Sequence, residues 1–244
     1  MSLSSKLDQI HLNVKANRWH RYFALILRIF LAWGFITAGI VKLMGERFAS
    51  GLSVNHPMGQ YLQALYHTGY YYTFIGIIQV IAAILLLIPR TVVLGALLYF
   101  PIILNICILS YAVRFEGSML TSPLMVLACF YLICWNYDKV KYILPLKHPA
   151  APETVVTPTN LDKSFPVKFF LGVAASIIAI VMFINYGFKI VPRNSSKDCN
   201  SQFVGTNRTQ AGAQFCECIH QQGLPLDSCI EQYDKAPNDP VLKN

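Results

Sequence analysis

Charge is what this chain is short of: 13% of its 244 residues are Asp, Glu, Lys or Arg, where a soluble domain carries about 25%. No acidic residue falls inside a long apolar run, which weakens any proton-pump reading. Histidine is missing from the same places. His11, His20, His56, His67, His148 and His220 are all assigned to arms and loops, and this argues against a bis-histidine haem in the bundle. There is no C-x-x-C-H, no G-x-x-x-x-G-K-[ST] and no dinucleotide fingerprint, so covalent haem and nucleotide chemistry lose their usual signatures. A secretory signal is not expected either, because residues 1–20 are polar and basic and the first apolar run outlasts an h-region.

What remains is hydrophobic length. Five windows approach the roughly 20 residues needed to cross a hydrocarbon core: Tyr22–Met44, Tyr71–Ile88, Val92–Val113, Ser122–Asn136 and Phe169–Phe188. The fourth is short, so it either borrows Ser118–Thr121 or sits tilted. The net charge of +8 invites a nucleic-acid reading, but its distribution speaks for a membrane. Lys6, Lys15, Arg18, Arg21, Arg90, Lys139, Lys141, Lys147, Lys163 and Lys168 fall on one side if the N-terminus is cytoplasmic, while the opposite loops hold only Arg47 and Arg114. This positive-inside bias predicts a cytoplasmic N-terminus and an external C-terminus. Lys189, Arg193 and Lys197, after the last span, dilute it.

The expected organisation follows. Residues 1–20 form a cytoplasmic arm with a turn or two of amphipathic helix around Leu7, Ile10 and Leu12. Residues 21–145 form a four-helix transmembrane bundle, its second and third spans an antiparallel pair joined through Pro89-Arg90-Thr91. In the first outer loop, Met58, Tyr61, Leu62, Leu65 and Tyr66 recur at helical spacing after Pro57 and predict an interfacial helix on the outer leaflet. Residues 146–167 are a proline-rich extended linker, so the fifth span, 168–190, reads as an appendage. Residues 191–244 form an external cysteine-rich domain, a small disulfide-stapled α-hairpin. Thr209 is the candidate cap of its first helix, which stops at Gly223 and Pro225; Asp227 or Ser228 is the candidate cap of its second. The fold class is therefore an all-α integral membrane protein.

That domain is too small to hold together by apolar burial alone. Cys199, Cys216, Cys218 and Cys229 on an oxidising face predict two disulfides in one of three connectivities. Cys216 and Cys218 lie about 200° apart around a helix and so suit different partners. A redox-active dithiol or a zinc site remains open, although C-x-C in mid-helix lacks the geometry of the first and the spacing lacks the paired turns of the second. Cys107, Cys129 and Cys134 scatter through the third and fourth spans. The sequons Asn194-Ser195-Ser196 and Asn207-Arg208-Thr209 are glycosylated only in a eukaryotic lumen.

Four polar residues fall within or at the ends of spans. Arg28 either marks a functional site or snorkels to the headgroups, and Lys42 closes the same helix at its far end. Gln79 and Asn105 are expected to hydrogen-bond between helices. Gly34 with Ala38, and Gly76 with Ala83, permit close helix contact. Neither a metal nor a tightly held cofactor is indicated, with a quinone or lipid the candidate ligand.

The first span, Leu27-Arg28-Ile29-Phe30-Leu31 and then Ala38-Gly39-Ile40-Val41-Lys42-Leu43, resembles the opening helix of DoxX-like and MauE-like membrane proteins. Gly76-Ile77-Ile78-Gln79 through Pro89-Arg90, with the apolar third span, looks like that family's second and third helices. The resemblance covers about residues 20–145. It implies a small bacterial inner-membrane protein associated with a redox system. Many members carry a glutamate where Gln79 stands, and that departure removes the one carboxylate suited to a proton or quinone. The expected function is a non-catalytic accessory or assembly subunit of a redox or respiratory complex, its partners being lipids, other subunits or a periplasmic protein, not nucleic acid. The alternatives are a quinone-coupled oxidoreductase of thiols or sulfur compounds, and a lipophile-binding or transport bundle.

Overall fold

The computed structural model describes residues 3–141 and 161–240, and these are helical, with no β-strand among them. The helices are α1 (Leu3–Ala16), α2 (Arg18–Leu43), α3 (Pro57–Tyr66), α4 (Tyr70–Leu87), α5 (Val92–Ala112), α6 (Glu116–Met119), α7 (Thr121–Trp135), α8 (Tyr137–Val140), α9 (Val167–Gly187), α10 (Ser196–Ser201), α11 (Thr209–Glu217) and α12 (Leu226–Lys235). A π-turn, Cys218–Gln222, prolongs α11. Five helical stretches are long and apolar enough to cross a membrane: α2, α4, α5, the continuous Glu116–Trp135 and α9. The short fourth window thus gains its length from α6. Most of the proline-rich linker lies outside the described residues.

The chain groups into two compact units that do not follow chain order. The first comprises Met1–Gly39, Ile77–Leu104 and Leu124–Ala179. Its α1 is a full 14-residue helix rather than the turn or two expected of the arm. Lys15 and His11 reach Asp138 at 2.9 and 3.4 Å, and Lys141 reaches Asp8 at 2.8 Å, so the segment is tied to α8. Burial pushes the Asp138 carboxyl up, but His11 and Lys15 more than reverse it and hold the group ionised, well below the usual carboxylate range. Asn17 starts α2: its Oδ1 accepts from the Trp19 N–H at 2.9 Å, an N-cap geometry that satisfies one orphan donor. Its Nδ2 donates to the Ser164 carbonyl at 2.8 Å, and Asp162 exchanges backbone bonds with Ala16 and Arg18. Phe169 packs edge-on against His20 and Phe23. The lead-in and first turn of α9 are therefore anchored, while none of the residues of the helix is buried.

In the middle of this unit Phe35 stacks on Tyr99, whose hydroxyl donates to the Leu31 carbonyl at 3.1 Å. Gly34 is a contact point as expected, a Cβ there falling 3.0 Å from the Met125 side chain. The tightest approach comes at an unexpected glycine. A Cβ on Gly95 would lie 2.7 Å from the Leu86 nitrogen, so the α4–α5 hairpin closes only because that atom is absent.

The second unit comprises Ile40–Gly76, Asn105–Pro123 and Ile180–Asn244. It has two apolar clusters. One gathers Leu52, Met58 and Leu62 with Leu109, Val113 and Phe115. The other is the core of the cysteine-rich tail, where Phe203, Phe215, Ile219 and Tyr233 surround all four bridged cysteines.

Gly95→Ala is expected to destabilise the protein by about 1–3 kcal/mol, the ordinary cost of overpacking a close contact. Gly172→Ala, in open space, serves as the neutral control. Thermal unfolding of both variants in the same detergent compares them directly.

Candidate functional site

Arg28 is engaged by the end of another helix. Its Nε donates to the Leu86 carbonyl and its Nη2 to the Leu87 carbonyl, both at 2.7 Å. These are among the last carbonyls of α4, which have no partner inside their own helix. Thr91 serves their neighbours: its Oγ1 donates to Leu85 at 2.9 Å, and its N–H to Ile88 at 3.1 Å. The helix has to stop there because Ile88 precedes Pro89, and the residue before a proline resists helical geometry. A guanidinium is suited to the place, being a rigid fork of donors with a charge that favours the negative end of the helix dipole. Arg28 is thus a helix clamp, occupied by protein.

The other intramembrane candidates also separate. Gln79 is buried with its Oε1 unpartnered, and Asn105 is exposed on the surface of α5, so neither shows the expected interhelical bond. Lys42 is 6% exposed, with its ammonium 4.7 Å from the Phe48 ring and 5.7 Å from the Tyr72 ring. Tyr72 is fixed in turn, accepting from the Phe48 N–H at 2.7 Å and donating to the Glu46 carbonyl at 3.0 Å. Such a cation over aromatic faces is worth about 2 kcal/mol when desolvated.

The first unit holds one cleft that sequence reasoning did not foresee, of about 290 Å³ and lined by His20, Tyr131, Cys134, Trp135, Tyr137 and Phe169 with apolar residues of α1. His20 is the correction here: it stands in the first turn of α2, not in an arm. It is buried and shares a 3.0 Å hydrogen bond with the Tyr131 hydroxyl. The cleft is aromatic and almost wholly apolar, so it suits a lipophile better than a polar substrate.

The tail pairs Cys199 with Cys216 and Cys218 with Cys229, each pair 5.8 Å apart between Cα atoms. Cys216 and Cys218 thus take different partners, as their helical phase required. The tail holds three α-helices rather than a hairpin of two, because α10 precedes the expected pair. Its caps differ too. The N–H groups of Thr209 and Gln210 bond to the Asp239 carboxylate, and Pro225, not Asp227 or Ser228, occupies the N-cap position of α12. Arg208 donates to the carbonyls of Tyr233 and Ala236 and stacks on the Tyr233 ring. Gly212 lets the Phe203 ring lie against α11, since a Cβ there would overlap it at 2.1 Å.

The loop helix α3 does not stand alone. Asn55 Nδ2 donates to the carbonyls of His220 and Gln221 at 3.2 and 3.1 Å, and Gln60 Nε2 donates to Gly223 at 3.2 Å. Gly223 has φ +65°, a left-handed C-cap that turns its carbonyl outward and favours glycine. Two buried histidines, His56 and His220, sit with ring centroids 5.7 Å apart behind this clasp. The sequence did signal one part of it: His56 before Pro57 is an N-cap followed by proline at N1. His220 has no comparable local sign.

Over 117 residues the chain is 36% identical to a protein of Bacillus subtilis (strain 168) described as uncharacterized protein YwoB, an alignment covering 46% of this chain and 75% of that one. No family model matches the chain, and no solved structure matches it.

Arg28→Met is expected to lower stability by about 1–3 kcal/mol, the scale for hydrogen bonds to a charged group. Arg28→Lys restores only part of it, having no fork, and thermal unfolding ranks the three proteins. Non-reducing peptide mapping of the tail is expected to yield only the pairs Cys199 with Cys216 and Cys218 with Cys229.

Proposed function

The chain belongs to the family of the Bacillus subtilis protein YwoB, and from that premise we propose that it is a non-catalytic accessory or assembly subunit of a membrane complex, its disulfide-closed tail serving as a docking platform. The observation that carries this reading is the state of the four tail cysteines. All are bridged and at most 2% exposed, held inside an aromatic core and clasped to α3. Bridges so enclosed are structural in kind, whereas a catalytic disulfide needs access for an attacking thiolate.

In this reading the five apolar helices insert into a bacterial inner membrane. The N-terminus is cytoplasmic and the tail periplasmic, which agrees with the basic residues before the first span and with disulfides that require an oxidising compartment. The likeness of Leu27-Arg28 and Ala38-Gly39-Ile40-Val41-Lys42-Leu43 to DoxX-like and MauE-like proteins favours a redox complex as the host. Arg28 and Lys42 act within the protein, one on the end of α4 and the other in its aromatic box.

A second reading, a lipophile-binding bundle, is favoured by the aromatic cleft at His20 and Tyr131. Its occupant would be a quinone or a lipid.

Purification of the tagged full chain in a gentle detergent is expected to recover stoichiometric partner subunits, and their loss on replacing exposed tail residues such as Val204 marks the docking face. A clean monomer from native membranes under the same conditions removes the accessory role. A lipophile retained through native mass spectrometry, and lost in Trp135→Ala, would favour the second reading.

A further inference from the structure

We propose that His56 and His220 form an acid-sensitive latch that holds the cysteine-rich tail on the α3 loop at neutral pH and releases it on acidification. His56 is fully buried and His220 nearly so, and they face one another across the place where tail and loop meet. His56 Nδ1 accepts the Met58 N–H at 3.2 Å as the N-cap of α3, so it has no room for a proton while α3 is capped. The neutral ring therefore carries its proton on Nε2, which is buried with only the Arg193 backbone near enough to act on it. His220 Nε2 lies 3.0 Å from the Pro192 carbonyl and serves as its donor. Two imidazoles fill the junction.

Adding a proton to His56 breaks the cap, because Nδ1 then opposes another N–H. It also places a cation in an apolar site beside a second imidazole, with Phe115 edge-on at 5.9 Å. Among the described residues no carboxylate acts on His56. The other charged and titratable groups on the packed segments are Glu46 and Arg47, Tyr61, Tyr66 and His67 on and after α3, Arg114 and Glu116, Arg193, and Glu217. Glu116 is committed to Arg193 at 2.7 Å, Arg47 to the carbonyls of Ser50 and Leu52, and Arg114 to Ile190. What opposes release is the clasp of Asn55 and Gln60, three neutral hydrogen bonds. The disulfides keep the tail itself folded, so the latch opens one contact and not the domain.

Burial, the neighbouring His220 and, in the opposite sense, the Arg193 backbone bring His56 down to about 4 from 6.5. A group whose folded value is depressed in this way, by preference for the neutral form, favours the docked state fully above 6.5. That preference is lost as pH falls from 6.5 towards 4. The docking equilibrium is expected to weaken about 30-fold at pH 5 and about 150-fold by pH 4.

Hydrogen–deuterium exchange of the detergent-solubilised full chain, corrected for the intrinsic pH dependence of exchange, reads this directly. Amides of residues 55–60 and 219–224 are expected to lose protection between pH 7.5 and 5, while those around Phe215 and Tyr233 keep theirs. His56→Asn, which retains an N-cap acceptor without a titrating ring, is expected to stay docked through pH 5. Should His56→Asn fail to fold, His220→Gln in the same assay is expected to flatten the profile. Unchanged protection of the two segments down to pH 4.5 in the unmodified protein overturns the proposal. So does loss of protection across the whole tail at once, or a variant that keeps the full pH response.

Discussion

A helix stopped by a proline leaves carbonyls that its own backbone cannot satisfy, and the organisation of the first unit answers that constraint. Pro89 forbids α4 to continue, so the carbonyls of residues 85–88 need outside donors. Arg28 supplies two from α2 and Thr91 supplies the rest from the hairpin turn. The arrangement requires α2, the end of α4 and the start of α5 to meet within a few ångströms, and Gly95 is what allows it. An unmatched carbonyl in an apolar setting costs several kcal/mol, more than any single apolar contact nearby returns. Polar bookkeeping at one helix terminus thereby fixes the register of three helices.

The second unit solves a different problem. Its tail is too small for a self-sufficient core, so it relies on cross-links, aromatic packing on Tyr233, and a borrowed helix. Asn55 and Gln60 bond to backbone carbonyls at the end of the π-turn, where the wide turn and the left-handed Gly223 leave acceptors exposed. Those donors are uncharged, so the attachment consists of three neutral hydrogen bonds.

Much of the fold was legible in the sequence. Apolar length, interrupted by Pro89 and by Gly-rich or polar loops, marks five spans within a few residues of the observed helices. The cysteine spacing implied that Cys216 and Cys218 have separate partners, because helical phase is local information. Long-range pairing was less legible. Arg28 read as an intramembrane charge seeking water or a ligand, since nothing in its neighbourhood reveals that the end of another helix lies beside it. Gln79 and Asn105 were grouped by residue type, yet one faces inward and the other outward. α1 was underestimated because its helix is supported by Asp138, far away in the chain. His20 was assigned to an arm because the apolar run begins two residues later, whereas the helix starts at the Asn17 cap.

The connectivity of the tail has a mechanical consequence. Cys199 is bonded to Cys216, and Cys218, two positions on, is bonded to Cys229. A pull transmitted from α9 towards the far end of the chain therefore passes from Cys199 to Cys229 through the short Cys216-Glu217-Cys218 bridge. Residues 200–215 and 219–228 are bypassed and carry no tension. Any partner that tugs on the tail is joined to α9 by a nearly inextensible tether, while the surface loops it touches stay slack.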